Sequence, residues 1–436
     1  MSLLTSSPVN LIVRAPVSSD ARFAEGADTG RFDRDIWYPG RSSDGRVNVS
    51  SWDLVPRGRW VQVDGTRFDS LTNQVVGVVP GWTVDNSSFR NIFQSWSGFA
   101  LDPDGCRAWF FGGGHSNGNN NGLYRFDLFR MRWAVEQLPS DRTTWAANYS
   151  PLNATPYPDS HAAAEAKFAA GTLQPVNDLF YDELPDGRPT ARHTYSSMAY
   201  IPETQEIVML CRRLWRYSLN QGRWNYKRLI RDQYPMWMDG EDLIATYDEK
   251  TGELMATAYG SQALYRGTGY DLFNNRWTDA ISGPWLRTFG VADARHGRLL
   301  ACMSPPMGTD NGVGRAGLYS LYSLDERRTV ERGELALLDG LARGDFMPNM
   351  AFYDASGATY IPVLNRYWMC TLMVDRRMAF FEINPTVTPW TMRRLDFPAG
   401  APSPSRLLKR RFNFWPALNA VTLADNGDTN LHLYRF

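Results

Sequence analysis

The chain has 436 residues, and its 46 Lys and Arg residues balance its 46 Asp and Glu residues. This zero net charge argues against nucleic acid as a main partner, because phosphate binding requires clustered excess positive charge. No apolar run approaches the roughly 18 residues of a membrane-spanning helix, so we expect no membrane span. Aromatic residues make up 13% of the chain and glycines number 36, which is typical of a β-rich protein with many turns.

Residues 1–56 contain no repeat, and we predict that they form an extended N-terminal arm. The first residues lack the basic start and the long apolar run of a signal peptide. Two interpretations of the arm remain open. It packs on its own domain, or it reaches a neighbouring protein subunit.

An outer hairpin recurs along the chain, with an aromatic residue seven positions before a Trp. The pairs are Phe126 and Trp133, Tyr217 and Trp224, and Tyr270 and Trp277. A fourth copy ends at Trp390 with Ile383 in the aromatic position, and a weaker fifth has Tyr322 and Thr329. Alternating apolar residues around a short polar turn predict two antiparallel strands, with each Trp in the core.

A second hairpin precedes each of these outer hairpins. Asp, Pro, Asn and Gly mark its turn, since they suit the backbone angles of tight turns. The six predicted turns are at 102–105, 202–205, 249–252, 295–297, 355–357 and 416–419. Two hairpins make a four-stranded unit, the size of a propeller blade.

The sixth outer hairpin is predicted to be divided between the two ends of the chain. The segment Leu431–Phe436 matches the first outer strand at Leu123–Phe126, and Arg57–Val63 matches the second at Met131–Gln137. The pattern therefore predicts an all-β, six-bladed β-propeller over residues 57–436. A strand near residues 57–66 closes the last blade, which removes exposed sheet edges.

The segment WFFGGGHSNGNNNGLYRFDLFRMRW resembles a kelch repeat, with its glycine run at Gly112–Gly114 followed by Tyr124 and Trp133. The GGGH variant followed by FDL and Trp is similar to kelch proteins of bacteria and their phages. This resemblance implies a kelch-type propeller. The full glycine signature occurs only in the first repeat.

Residues 138–189 are predicted to be an insertion between the first and second blades. Insertions in propellers usually lie on one face, often the binding face, and this one is expected beside the loop at 116–122. Amide, imidazole, guanidinium and aromatic side chains there suit sugar hydroxyls. The candidate binding residues are His115, Asn117, Asn119, Arg192, His193, Trp145 and Tyr149.

Each candidate has an alternative structural interpretation. Asn and Gly tolerate left-handed backbone angles in a tight loop, and a histidine such as His193 often packs against a neighbouring blade. The run Lys409, Arg410 and Arg411 is predicted to form a solvated rim, and a polyanion site is the alternative.

No catalytic residue, metal site or cofactor is predicted. Ser196 lacks the Gly-x-Ser-x-Gly elbow of hydrolases. The cysteines are isolated and no two histidines have zinc-ligand spacing. We expect the four cysteines, Cys106, Cys211, Cys302 and Cys370, to be free and buried.

The leading hypothesis is a non-enzymatic structural or attachment propeller, such as a tail or capsid-associated component of a phage virion. It would contact neighbouring subunits through its arm and also contact glycans. One alternative is a carbohydrate-active enzyme with its site at the channel mouth near His115 and His193. Another is a glycan-binding module that uses the 138–189 insertion. The expected location is the virion if the chain is phage-encoded and the cytoplasm otherwise.

Overall fold

The computed structural model describes a set of segments distributed along the chain. They are residues 31–33, 55–82, 89, 92–93, 97–113, 120–141, 188–189, 191, 194–211, 213–224, 244–257, 263–268, 278–282, 288–293, 297–303, 318–346, 356–397, 401–404, 408 and 410–436. Within these residues the strands form six sheets of four or five strands, named sheets 1 to 6 below.

Two strands precede the first sheet along the chain. They are β1 (Arg31–Asp33) and β2 (Trp60–Asp64), and they are followed by a 3-10 helix at Phe68–Leu71 and by helix α1 (Thr72–Val75). Sheet 1 contains β3 (Phe99–Asp102), β4 (Arg107–Phe111), β5 (Leu123–Asp127) and β6 (Arg132–Gln137). Sheet 2 contains β7 (Met198–Ile201), β8 (Glu206–Cys211), β9 (Arg213–Ser218) and β10 (Arg223–Trp224).

Sheets 3 and 4 repeat this arrangement of four antiparallel strands. Sheet 3 contains β11 (Ala245–Asp248), β12 (Glu253–Thr257), β13 (Ala263–Thr268) and β14 (Thr278–Ser282). Sheet 4 contains β15 (Thr288–Asp293), β16 (Arg298–Met303), β17 (Leu318–Ser323) and β18 (Arg328–Glu334).

Sheets 5 and 6 each have a fifth strand added in parallel at the outer edge. Sheet 5 contains β20 (Gly357–Ile361), β21 (Arg366–Leu372), β22 (Met378–Asn384) and β23 (Thr391–Leu395), with β19 (Ala336–Leu337) beside β23. Sheet 6 contains β24 (Phe412–Trp415), β25 (Ala420–Leu423), β26 (Leu431–Arg435) and β2, with β1 beside β2. Two further 3-10 helices lie at Arg343–Asp345 and Pro416–Leu418.

The first strands of the sheets pack against one another around a central channel. Contacts join β3 to β7, β7 to β11, β15 to β20, and β20 to β24. A parallel bridge between Ser196 and Ile244 also links the entrances of β7 and β11. Sheets arranged radially with their first strands innermost form a β-propeller.

The predicted pairing of the segment around Trp60 with the C-terminal strand is confirmed. Trp60 lies opposite Tyr434 and Val63 lies opposite Leu431 in an antiparallel ladder. The Thr66 hydroxyl accepts a hydrogen bond from the Leu431 amide at 2.7 Å. Sheet 6 is therefore completed by residues more than 360 positions apart in the chain.

The predicted register of the outer hairpin is confirmed in three sheets, including sheet 4, where Tyr322 lies opposite Thr329. Phe126 lies opposite Trp133, and Tyr217 lies opposite Trp224. In sheet 5 the prediction is wrong, because Met392 rather than Trp390 lies opposite Ile383. The turn after β22 is longer there, so Trp390 lies just outside the ladder and stacks on Tyr319 at 4.3 Å between ring centroids.

One predicted inner turn is also wrong. The turn of the fifth inner hairpin is at residues 362–365, between β20 and β21, and not at 355–357. Pro362 lacks the amide that a ladder needs, and Asn365 adopts a left-handed φ of 50°. Gly357, the first residue of β20, has no room for a side chain, because a Cβ there would lie 2.7 Å from the Leu408 carbonyl oxygen.

The aromatic core lies between the sheets, as the repeat predicts. Trp60, Trp133, Trp224 and Trp390 are each buried, whereas the Trp277 side chain lies outside the described residues. Sequence analysis missed the helical segment that follows β2. Its Phe68 packs within 5.7 Å of a group of rings, those of Phe89, Phe93, Phe110, Tyr124 and Trp133.

Cys106 and Cys370 are free and buried, as predicted. The side chains of Cys211 and Cys302 lie outside the described residues. Among the described helices, none has the length and apolarity to cross a membrane.

Candidate functional site

The central channel contains a cavity of about 410 Å³ between the first strands. Small residues keep it open, and Ala199, Gly290 and Ala358 are among its lining residues. A Cβ at position 290 would lie 2.4 Å from the Leu300 carbonyl oxygen, so that position has no room for a side chain. The volume falls within the roughly 300–1,000 Å³ of small-molecule sites in proteins.

The mouth of the cavity is formed by the turns that join first and second strands. Asp104, Glu249 and Pro416 lie in these turns, line the cavity and are exposed. In sheet 1 the turn is fixed by Asp102, which accepts hydrogen bonds from the Gly105 amide at 2.9 Å and from the Arg107 guanidinium at 2.6 Å. The Asp102 carboxylate therefore holds the turn and the Arg107 side chain in place.

A ring of mainly aromatic side chains lies just inside the mouth. Each occupies the penultimate position of a first strand. The residues of this ring, called the penultimate ring below, are Leu101, Tyr200, Tyr247, Tyr360 and Phe414. The first strands of the sheets occupy equivalent positions in the repeat. The five side chains at their penultimate positions therefore lie at one level of the channel.

The tyrosines of the penultimate ring are held in place by their neighbours. Tyr200 stacks on Trp109 with 4.9 Å between ring centroids, and its hydroxyl accepts a hydrogen bond from Gln205 at 2.6 Å. The Tyr360 hydroxyl donates to Asn365 at 2.8 Å. Burial raises the pKa of Tyr200 and of Tyr247, so both remain neutral phenols at physiological pH.

Deeper in the channel the wall becomes polar. Thr246, Thr359 and Asn413 line it and are almost fully buried. Thr359 accepts a hydrogen bond from the Phe414 amide at 2.9 Å, which links sheets 5 and 6. Hydroxyl and amide groups both donate and accept hydrogen bonds, so this level can bind polar ligand groups.

Arg410 lies at the inner end of the cavity. It precedes β24 of sheet 6 and reaches across the channel, where its guanidinium donates hydrogen bonds to the carbonyl oxygens of Met198 and Ala245. Those residues begin the first strands of sheets 2 and 3. The inner edge of a first strand has no neighbouring strand, so its carbonyls need other donors.

The prediction that residues 409–411 form a solvated rim is wrong for Arg410 and Arg411, which are the two residues of this run that the structure describes. Arg411 is fully buried, donates to the Asp425 carbonyl at 2.6 Å and lies 5.2 Å from the Phe93 ring centroid. Burial lowers the pKa of both Arg410 and Arg411 to about 10, so both remain cations at neutral pH. Lys409 lies outside the described residues.

The binding residues predicted from the sequence all lie outside the described residues: His115, Asn117, Asn119, Trp145, Tyr149, Arg192 and His193. The structure does describe two asparagines at the end of the same loop, Asn120 and Asn121, and both are fully buried. Asn120 accepts a hydrogen bond from the Tyr124 hydroxyl at 2.7 Å, and Asn121 donates to Ser140 at 2.8 Å. This part of the loop supports the fold.

The penultimate ring and the place of Arg410 in the channel were not predicted from the sequence. A repeat signal for the ring was present, because MAYI, ATYD and GATYI each place a tyrosine one residue before the strand ends. Arg410 carries no such signal, since its partners are distant in sequence. Within the described segments no group of three His, Cys, Asp or Glu side chains is placed to hold a metal ion.

No known protein family and no curated protein matches the sequence. Solved structures that resemble the chain include hydrazine synthase of Kuenenia stuttgartiensis, at 9% identity over 75% of both chains with a TM-score of 0.38. Oligogalacturonate lyase in complex with manganese is 10% identical over 80% of this chain and 89% of that one, with a TM-score of 0.37. The calcium-binding protein regucalcin from Agrobacterium tumefaciens is 11% identical over 77% and 88%, with a TM-score of 0.37. Likenesses at this level assign neither a family nor an activity.

Proposed function

We propose that the chain is a six-bladed kelch-type propeller that binds a glycan in its central channel without transforming it. The observation that carries this proposal is the penultimate ring above a polar wall in a cavity of about 410 Å³. Tyrosine offers a flat apolar face and a polar hydroxyl, which match the C–H face and the hydroxyls of a sugar. The threonine and asparagine side chains below supply further hydrogen-bond donors and acceptors.

The kelch assignment is supported by how sheet 1 uses its signature residues. A Cβ at Gly112 would lie 1.5 Å from the Asn120 carbonyl oxygen, so only glycine fits there. The Tyr124 hydroxyl bonds to Asn120, and the Trp133 indole donates to the Thr66 carbonyl at 2.9 Å. Gly112, Tyr124 and Trp133 therefore each have a structural role within the sheet or against the closing segment.

The titratable groups that the structure describes in the channel favour binding of a ligand without a chemical reaction. Asp102 is tied to Arg107, the pKa values of Tyr200 and Tyr247 are raised, and Arg410 remains a cation. General acid–base catalysis works best with a pKa near the operating pH, and the two tyrosines and Arg410 do not meet that condition. The site is suited to holding a ligand.

Attachment to a glycan-bearing surface is the role we assign to this binding. The leading hypothesis from the sequence is a structural component of a phage virion that contacts neighbouring subunits. That setting and those contacts are part of the same proposal. The predicted arm is the segment we assign to such contacts, and its described part β1 lies on β2 of its own chain.

A glycan microarray probed with the full chain tests this proposal. Tyr247→Ala and Tyr360→Ala should each weaken binding about tenfold or more, because each removes a contact surface of the penultimate ring. The matched control is Phe129→Ala, since Phe129 is 47% exposed in a turn of sheet 1 outside the cavity. A blank array, or equal losses for the control and the tyrosine variants, would contradict the proposal.

A further inference from the structure

Arg410 makes the inner end of the channel chemically different from the mouth. A guanidinium carries five N–H donors and a permanent positive charge. The hydrogen-bond acceptors found for Arg410 among the described residues are two neutral carbonyl oxygens, those of Met198 and Ala245. Arg410 also lines the cavity, so its charge acts on whatever occupies the inner end.

The carboxylates around the cavity lie at its other end. Asp102 is bound to Arg107, and Asp104 and Glu249 belong to the exposed turns of the mouth. Burial is the one cause of the lowered pKa of Arg410, whereas Asp425 opposes the same effect at Arg411. A partly buried cation with no carboxylate beside it among the described residues carries a desolvation cost that an anion would offset.

We propose that the glycan carries a carboxylate and that Arg410 binds this carboxylate at the inner end of the channel. The inference rests on the proposed function and names its ligand class, an acidic sugar such as a uronic acid. Hydrogen bonds between a guanidinium and a carboxylate are charge-assisted and about twice as strong as neutral ones.

Calorimetric titration of the full chain with three matched probes tests the inference from the ligand side. Glucuronate carries the carboxylate, its methyl ester keeps the shape without the charge, and glucose has a hydroxymethyl group instead. Glucuronate should bind at least about tenfold more tightly than either neutral probe. Equal affinities for the three probes would overturn the inference and leave the proposal of glycan binding standing. If no probe binds and the glycan array is also blank, both the inference and the proposed function fail.

Acetate supplies a carboxylate without a sugar. If acetate binds as tightly as glucuronate, the inner end is a simple anion site and the inference for an acidic sugar fails. We expect acetate to bind at least about tenfold more weakly, because it contacts neither the penultimate ring nor the polar wall.

Substitution of Arg410 tests the same inference from the protein side. Arg410→Gln should abolish the preference for glucuronate over its methyl ester, and Arg410→Lys should retain part of it, because the charge remains without the planar fork. Arg223→Gln is the matched control, an exposed arginine of sheet 2 outside the cavity, and it should keep the full preference. An unchanged preference in a folded Arg410→Gln variant would overturn the inference, and if that variant does not fold, the three-probe titration of the unaltered chain decides.

Discussion

Single buried polar residues decide how this channel is built. Arg410 spans from sheet 6 to the strands of sheets 2 and 3 and supplies donors to carbonyls that no strand can reach. Asn121 does similar work outside the channel, joining Ser140 to the loop of sheet 1. In both places one side chain replaces the hydrogen bonds that a further strand would have made.

His432 should make the protein sensitive to mild acid. It lies in β26, next to the closing strand, and burial lowers its pKa to about 4 from the ordinary value of 6.5. The unfolded chain binds the proton below pH 6.5, whereas the folded chain binds it only below pH 4. Stability is therefore lost as pH falls from 6.5 to 4, by up to about 3 kcal/mol.

Urea unfolding between pH 4 and 8 measures this loss. In His432→Gln the titrating group is gone, so the free energy of unfolding should fall less steeply between pH 6.5 and 4 than in the unaltered chain. Identical slopes for the two proteins would show that His432 does not limit acid stability.

At the scale of elements, the kelch glycine of sheet 1 should be intolerant of any side chain. Gly112→Ala places a methyl group against the Asn120 carbonyl, and because that atom belongs to the backbone the loop has to move. We expect a loss of about 2 kcal/mol or more in the free energy of unfolding. The measurement is denaturant unfolding followed by tryptophan fluorescence.

Gly344→Ala is the control for that substitution. A Cβ at position 344 meets nothing within 4 Å, so its effect should stay within about 0.5 kcal/mol. Similar losses in the two variants would mean that the close approach at Gly112 is not what requires glycine there.

The hairpins were predictable because their determinants are local. Phe126 and Trp133 face each other across one turn, and the turn at 202–205 has Pro and Gln where the chain reverses. The fifth inner hairpin was misplaced because Ala355–Gly357 resembles a turn, while the close approach that requires Gly357 comes from Leu408, a distant residue that precedes β24. Contacts between sheets leave no local pattern in the sequence.

The same limit explains what was missed in the candidate site. A run of three basic residues is usually solvated, and the burial of Arg410 and Arg411 depends on carbonyls and rings elsewhere in the chain. The penultimate ring was predictable in principle, since its tyrosines recur at one strand position. The repeat pattern that is centred on the tryptophans does not single them out.

At the scale of the whole molecule, closure through β2 should matter far more than the arm. A chain lacking residues 1–50 loses β1 but keeps Trp60, whose ring packs between Phe380 and Tyr434, each at 5.6 Å. We expect it to unfold cooperatively in a circular dichroism melt. A chain lacking residues 1–64 also loses β2 and leaves the outer edge of β26 without a partner strand, although β26 still pairs with β25. It should lose the cooperative transition.

Light scattering on the full chain and on the chain lacking residues 1–50 addresses the proposed partners of the arm. A defined oligomer that becomes a monomer on truncation would support contacts with neighbouring subunits. Two monomers would exclude self-assembly through the arm.

The most direct test of the channel as a binding site is a crystal structure of the full chain with the glycan selected on the array. The account predicts electron density for the sugar between Tyr247, Thr359 and Arg410, with a carboxylate at the Arg410 guanidinium. Density for the sugar at another surface, with the channel empty, would contradict it.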